Sequence, residues 1–226
     1  LRYLEEPEAT ASFSEIRSRI DEFTLLPEGV PSFGYSDSAY WFVFEVQNVG
    51  PLEAWVLEVG YPHLDDVRVY YDAGGDEREQ RGGDRQTFDS RYRPYRNINF
   101  GIEFADSERK TIWVRVQSES SVQLPLALYS ERAFGDHATR DMTGLGIFYG
   151  MFLIMVLFNA LIWASTRDKG YGAFTLFLVA FALFQFTVSG LLFQYVLPNS
   201  MWVANSLLVI LGFLSLGTAS TYCITY

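Results

Sequence analysis

Two tryptophans, three amide side chains and an arginine occupy outward positions in segments that have the period of β-strands. Aromatic rings stack on sugar rings, and amides and guanidinium groups bond to hydroxyls or carboxylates. We therefore predict a binding surface for a small carbohydrate-like or carboxylate ligand. The predicted ligand-binding residues are Trp41, Asn97, Asn99, Trp113, Arg115 and Gln117. The alternative is that the tryptophans pack under a loop or against a second sheet.

The sequence offers no comparable set of residues for catalysis. His63 and His137 lie far apart, and no nucleophile–base pattern, phosphate-binding loop or dinucleotide fingerprint is present. We expect no catalytic residue, no metal site, no cofactor and no enzyme activity in this chain. Two acidic stretches, at 65–66 and 72–77, leave structural calcium as an alternative that their spacing does not support.

The candidate residues lie in short alternating runs separated by Gly, Pro, Asp and Ser. The runs Tyr40–Val46, Val67–Tyr71, Asn97–Phe104 and Thr111–Gln117 each place apolar residues on one side. Half-buried strands at this spacing predict an all-β sandwich or jelly roll over residues 1–135. Each candidate points away from the apolar row of its own strand, so we expect all six to share one surface.

The charges divide the sequence into two parts. The whole chain has 17 basic and 27 acidic residues and a net charge of -10, which disfavours nucleic acid as a partner. Residues 141–226 contain only four charged side chains: Asp141, Arg167, Asp168 and Lys169. A bilayer core of about 30 Å needs roughly 20 helical residues. We predict a linker at 136–141 and membrane helices at about 142–164, 171–192 and 201–224.

The first link between the predicted membrane helices carries Arg167 and Lys169, whereas the second carries no charge. Short cytoplasmic loops are enriched in Lys and Arg. This pattern places residues 165–170 on the cytoplasmic side of the membrane and residues 1–140 outside.

Segments in both parts of the chain resemble a known family. They are Phe33–Phe42, Glu58–Val67, Val114–Leu126, Gly146–Met151, Phe158–Leu161, Arg167–Tyr171 and Gly190–Tyr195. Together they resemble the extracellular sensor domain and the first helices of bacterial seven-transmembrane receptors with diverse intracellular signalling modules. The resemblance implies a bacterial inner-membrane protein whose residues 1–140 are periplasmic and form a jelly roll similar to carbohydrate-binding modules. It also implies seven helices, of which we expect this truncated chain to hold three, and a cytoplasmic histidine kinase, diguanylate cyclase or phosphatase.

These features predict a fragment of a signal-transduction receptor. Its expected partners are a small-molecule ligand, the lipid bilayer and a cytoplasmic signalling domain in the full-length chain, with a homodimer left open. The alternative function is a membrane-tethered binding protein or part of a transporter, without signalling output.

Overall fold

The computed structural model describes residues 1–27, 29–51, 54–73 and 75–225, with the side chains of 201–205 left out. The chain forms two compact units, Leu1–Phe134 and Gly135–Tyr226. The first unit is mainly β-structure, and the second is helical.

The first unit is built from antiparallel strands in two principal sheets. The larger sheet has the order β2-β1-β4-β9-β6-β7. Its strands are β1 (Arg2–Glu6), β2 (Thr24–Leu25), β4 (Ala39–Gln47), β6 (Asp66–Ala73), β7 (Asp76–Gly82) and β9 (Arg109–Gln117). The smaller sheet has the order β11-β5-β8, from β5 (Ala54–Val59), β8 (Ile98–Glu103) and β11 (Leu126–Ser130). A separate pair joins β3 (Ser32–Gly34) to β10 (Val122–Gln123).

The main core lies between these two sheets. Phe42 of β4 and Val69 of β6 both stand opposite Val114 of β9, and all three are fully buried. They belong to one buried cluster with Leu57 and Ile98 of the smaller sheet. This packing follows from the alternation in the sequence, because inward side chains recur at every second residue. The predicted β-sandwich is confirmed.

The outer face of the larger sheet carries a second apolar cluster. Helix α1 (Phe13–Ser18) and a 3-10 helix at Ile20–Glu22 follow β1. Helix α1 begins with a capping box, in which Ser12 and Glu15 bond to each other's backbone N–H groups. Ile16 and Phe23 pack against the outward side chains of β4, β6 and β9. This face is therefore covered by the chain's own 13–23 segment.

The sandwich has two distinct ends. Strand β5 ends at Val59, and the 60–65 loop leads from it to the start of β6 at Asp66. Leu126, the first residue of β11, pairs with Val59, whereas the last, Ser130, pairs with Trp55 near the start of β5. Helix α2 (Glu131–Thr166) follows Ser130 directly. The loops that precede β6 and the start of α2 therefore lie at opposite ends of the sandwich.

The second unit contains the rest of α2 and the helices α3 (Lys169–Val188), α4 (Leu191–Tyr195) and α5 (Met201–Thr225). Among the described residues, three helical stretches are long and apolar enough to cross a membrane: Glu131–Thr166, Lys169–Val188 and Ser206–Thr225. These confirm the predicted apolar helices that could span a membrane.

The helix boundaries differ in detail from the sequence expectations. Residues 136–141, expected as a linker, lie within α2. The second helix ends at Val188 because Gly190, with a φ of 77°, interrupts the chain before α4. The Tyr149 hydroxyl of α2 lies 2.9 Å from the Ser189 hydroxyl, which shows how hydroxyl groups join neighbouring helices in this unit.

Candidate functional site

The structure distributes the six predicted ligand-binding residues over two sheets. Trp41 of β4 and Trp113, Arg115 and Gln117 of β9 lie on the larger sheet. Asn97 directly precedes β8, and Asn99 lies within it, so both belong to the smaller sheet. Side chains that point away from the core on two packed sheets reach opposite surfaces of the sandwich. The six residues therefore do not form one surface.

Both tryptophans lie under the 13–23 segment. Trp41 is fully buried, and Trp113 is 6 % exposed. The Phe13 ring stacks on Trp41 with 6.1 Å between ring centroids, and the Phe23 ring packs edge-on against Trp113 with 5.4 Å between centroids. The Trp41 Nε1–H donates to the Glu6 carboxylate at 2.9 Å. This is the arrangement in which the tryptophans pack beneath a neighbouring segment. Trp41 has no exposed face, and Trp113 contributes only its small exposed fraction to the lining of a larger opening.

The two asparagines fasten the chain that leads into β8. The Asn99 Oδ1 accepts from the Arg93 backbone N–H at 2.7 Å, and its Nδ2 donates to the Arg93 carbonyl at 3.0 Å. The Asn97 Nδ2 donates to Glu58 Oε1 at 2.7 Å. Both asparagines are buried. Their polar groups thus hold the 83–97 segment, which joins β7 to β8, on the outer side of the smaller sheet.

Arg115 and Gln117 belong to a polar site at the end of the larger sheet. A cavity of about 380 Å³ opens there between the starts of β4 and β6 and the end of β9. Its lining consists of Asp37, Asp65, Asp66, Arg68, Arg85, Gln86, Gln117, Ser118 and Glu119. Arg115 lies beneath this lining, and donates to Asp66 Oδ2 at 3.0 Å and to Gln117 Oε1 at 2.8 Å. Because its oxygen is occupied, Gln117 can offer a ligand its two amide N–H donors.

Ion pairs fix both walls of this cavity, which we call the loop-end cavity. On one wall, Asp66 Oδ2 accepts from Arg68 Nε at 2.9 Å as well as from Arg115. On the other wall, the buried Asp65 accepts from the Glu119 backbone N–H at 2.9 Å and pairs with Arg85 at 3.1 Å. The hydrogen bond with Glu119 raises the pKa of Arg85. These groups are preorganised, since their partners hold them before any ligand arrives.

The charges of the loop-end cavity restrict its ligand. Four carboxylates line it, against the guanidinium groups of Arg68 and Arg85, so an incoming carboxylate meets an excess of negative charge. A hydroxyl group both donates and accepts hydrogen bonds, so it can use the donors and the acceptors of this lining together. Within the described residues, no group of three or more His, Cys, Asp or Glu is arranged to hold a metal ion. The arrangement is suited to binding a neutral hydroxylated molecule and contains no evident catalytic pair.

Sequence reasoning missed most of this site because its residues come from four separate segments of the chain, at the ends of strands and in the loops beside them. The alternation along β9 predicted Gln117 and the underlying Arg115, whereas the adjacent pair Asp65–Asp66 indicated only calcium. In the structure both carboxylates are ion-paired with arginines. A larger opening of about 850 Å³ lies around the Arg17, Val43 and Lys110 side chains. The loop-end cavity is the better candidate because it joins Gln117 to the buried Arg115.

The beginning of α2 forms a second polar cluster within the first unit. The Tyr92 hydroxyl donates to Glu131 Oε1 at 2.6 Å, and Arg93 Nη2 lies 2.7 Å from Glu131 Oε2. Phe134, one turn further on, is buried with its ring edge-on to Tyr95 at 5.4 Å. The first turn of α2 is therefore fixed to the sandwich by charge and by packing.

Two family models match the chain. The model described as 7TMR-DISM extracellular 2 matches residues 1–130, and the model described as 7TM diverse intracellular signalling matches residues 141–226. No curated protein matches the chain. The resemblance found in the sequence is confirmed.

Proposed function

The chain belongs to the 7TMR-DISM family of membrane receptors, with an extracellular sensor domain and a 7TM signalling region, and we propose that it senses a small hydroxylated molecule. In this proposal the ligand binds in the loop-end cavity. The signal passes through the membrane helices to a cytoplasmic output domain of the full-length protein, which the resemblance predicts to be a histidine kinase, a diguanylate cyclase or a phosphatase.

The observation that carries this proposal is the direct junction of sensor and membrane helix. Strand β11 ends at Ser130, and α2 runs from Glu131 to Thr166 without a break. No non-helical residue separates the strand from the helix. A change in the position of β11 therefore reaches α2 without being absorbed by a flexible linker. A binding protein that was merely tethered to the membrane would not need this junction.

Of the two predicted ligand classes, we favour the carbohydrate-like one over the carboxylate. Gln117 and Arg68 supply donors to the loop-end cavity, and Asp37 and Glu119 supply acceptors at its rim. A sugar hydroxyl donates and accepts at once and can use both types of group. A carboxylate only accepts, and it would stand near the four acidic side chains of the lining.

The ligand proposal is tested by titrating the full chain in lipid nanodiscs with glucose, galactose and N-acetylglucosamine, and with succinate and citrate. We expect at least one neutral sugar to bind, and neither carboxylate. Replacing Gln117 with Ala should weaken sugar binding about 5–150-fold, since a buried polar contact contributes about 1–3 kcal/mol. Isothermal titration calorimetry measures both effects.

The matched control for this titration is Arg17→Ala, which alters the larger opening and leaves the loop-end cavity intact. It should bind the same sugar with unchanged affinity. If Arg17→Ala weakens binding and Gln117→Ala does not, the ligand site belongs to the larger opening. Binding of succinate or citrate instead of sugars contradicts the proposed ligand class.

We further propose that residues 1–140 are periplasmic and residues 165–170 cytoplasmic, in a bacterial inner membrane. The support is Arg167, in the short link between α2 and α3, and Lys169, the first residue of α3. In a Cys223→Ala background, a cysteine at Ser165 should resist a membrane-impermeant thiol reagent in spheroplasts. A cysteine at Val49, which is largely exposed, should react readily. Labelling at Ser165 with protection at Val49 contradicts the orientation.

The rival function is a transporter part or a tethered binding protein. It differs from a receptor in what ligand binding does at the cytoplasmic side. A receptor changes the activity of an output domain without moving the ligand, whereas a transporter carries bound ligand across the membrane. Uptake of the bound sugar by vesicles that contain the full-length protein would favour the transporter.

A further inference from the structure

The 83–97 segment touches both the loop-end cavity and the first turn of α2. Arg85 and Gln86 belong to the lining of the cavity. Tyr92 and Arg93 bond to Glu131, the first residue of α2, at the opposite end of the sandwich. One short stretch of chain thus connects two places that the sheets keep apart.

The segment is firmly attached at the cavity. The Asp84 backbone N–H donates to the Leu64 carbonyl at 2.8 Å, and the Arg85 N–H donates to the Asp65 carbonyl at 3.2 Å. Gly83 makes this close approach feasible, because a Cβ atom there would lie 2.2 Å from the Asp65 carbonyl oxygen. Movement of the loop that holds Asp65 must therefore move the start of the segment.

The segment also lies closely on the smaller sheet near α2. The Tyr92 N–H donates to the Asn99 carbonyl at 3.3 Å. The Tyr92 ring covers Gly101 of β8, where an added Cβ would lie 2.5 Å from the ring. The absence of a side chain at Gly101 therefore lets Tyr92 lie flat enough to reach Glu131.

Between these two attachments, Arg91 holds the segment together. Its guanidinium is buried, donates to the Tyr95 carbonyl at 2.7 Å and also donates to the Arg96 carbonyl. It stacks over the Phe88 ring at 4.7 Å. Burial lowers the pKa of Arg91 to about 10, and the charge of Asp84 opposes this shift. These contacts tie both halves of the segment to one side chain, so it can move as a unit.

We propose that the 83–97 segment relays occupancy of the loop-end cavity to α2, with Tyr92 and Arg93 as the positioning residues that set the first turn of the helix. The relay rests on the proposed receptor function and adds its route. Ligand contact displaces the Arg85 end, the segment follows, and the hold of Tyr92 and Arg93 on Glu131 changes. Because coupling between two sites is reciprocal, a change at the cavity must alter the first turn of α2, and a change at that turn must alter the cavity.

The relay is tested without any ligand, by hydrogen–deuterium exchange of the full chain in lipid nanodiscs. Removing the Arg93 side chain takes away one of the two side chains that hold Glu131, so Arg93→Ala should speed amide exchange in residues 131–138. Removing the Arg85 side chain should speed exchange in the same residues by about fivefold or more, although Arg85 lies at the other end of the sandwich. In the double variant, the second substitution should add little to the first, since both act along one route.

The matched control is Arg81→Ala. Arg81 is 55 % exposed and ion-paired to Glu79, much as Arg85 is 56 % exposed and paired to Glu119, but it lies on β7 outside the segment. It should leave residues 131–138 unchanged, and exchange in β4 should stay unchanged in all variants. Wild-type exchange at 131–138 in Arg85→Ala or in Arg93→Ala overturns the relay. The relay is also overturned if Arg81→Ala speeds exchange at 131–138 as well, or if exchange in β4 rises too, because either result indicates a general loosening of the domain. Neither outcome changes the expected result of the sugar titration, so the proposed function is tested independently of the relay.

Discussion

Truncation of Trp41 to alanine is expected to destabilise the sensor domain by about 3–5 kcal/mol, the usual loss for a large aromatic side chain removed from a core. Trp41 is fully buried and packs beside both Phe13 and Tyr70, with centroid distances of 6.1 Å and 5.6 Å. Its removal leaves a cavity between β4 and α1 that the remaining rings cannot fill. It also removes the hydrogen bond to the buried Glu6.

A second substitution separates the packing of Trp41 from its hydrogen bond. Trp41→Phe loses the Nε1–H donor but retains a smaller aromatic ring that fills much of the site, so we expect a smaller loss of about 1–3 kcal/mol. Tyr35→Ala is the control, because Tyr35 is 84 % exposed and should change stability by no more than about 0.5 kcal/mol. The measurement is urea-dependent pulse proteolysis of the full chain in detergent, with cleavage scored within residues 1–134.

The outcome also decides between the two interpretations of the tryptophans that the sequence leaves open. A ligand-stacking Trp41 on an open face would tolerate truncation with little loss of stability. Near-wild-type resistance of Trp41→Ala to proteolysis would therefore mean that the 13–23 segment leaves the sheet in solution. The outer face of β4 would then become available to a ligand again.

The strands and the membrane helices were predictable because both depend on local patterns. Phe42, Val69 and Val114 each belong to a row of apolar residues at every second position of their own strand, and the helical part has long stretches without charge. The sequence also carried a pattern typical of the 13–23 segment that covers Trp41. Phe13, Ile16, Ile20 and Phe23 follow the three- and four-residue spacing of one helix face. The segment is short and otherwise polar, which hides that spacing among charged neighbours.

The site could not be predicted in the same way. Alternation tells which side of a strand Asn99 or Arg115 occupies, but not which of two sheets the strand joins, because sheet membership depends on distant pairings. The loop-end cavity combines Asp37, Asp65 and Glu119, which are brought together only by the folded topology. The ion pair between Arg93 and Glu131 likewise depends on the path that the 83–97 segment takes across the smaller sheet.

Gly83→Ala is expected to cause the second large effect, because this position meets two independent penalties. Its φ of +130° is a conformation that residues with a Cβ rarely adopt, which costs about 1–3 kcal/mol. In addition, the new Cβ would lie 2.2 Å from the Asp65 carbonyl oxygen and 2.7 Å from its carbonyl carbon. These are backbone atoms, so relief requires that the 83–86 turn separate from the 64–65 loop, at a further cost of about 1–3 kcal/mol.

The chain contains a matched control that carries only the first penalty. Gly75 also has a positive φ, +98°, but a Cβ added there meets nothing within 4 Å. We expect Gly75→Ala to lose about 1–3 kcal/mol and Gly83→Ala about 2–6 kcal/mol, both measured by pulse proteolysis.

Gly83→Ala should also abolish sugar binding, because the backbone bonds that place Arg85 beside Asp65 are lost, whereas Gly75→Ala should bind normally. Equal losses of stability in the two variants, with sugar binding preserved in both, would mean that the 83–86 turn moves away from the 64–65 loop at little cost. The walls of the loop-end cavity would then not be held by that contact.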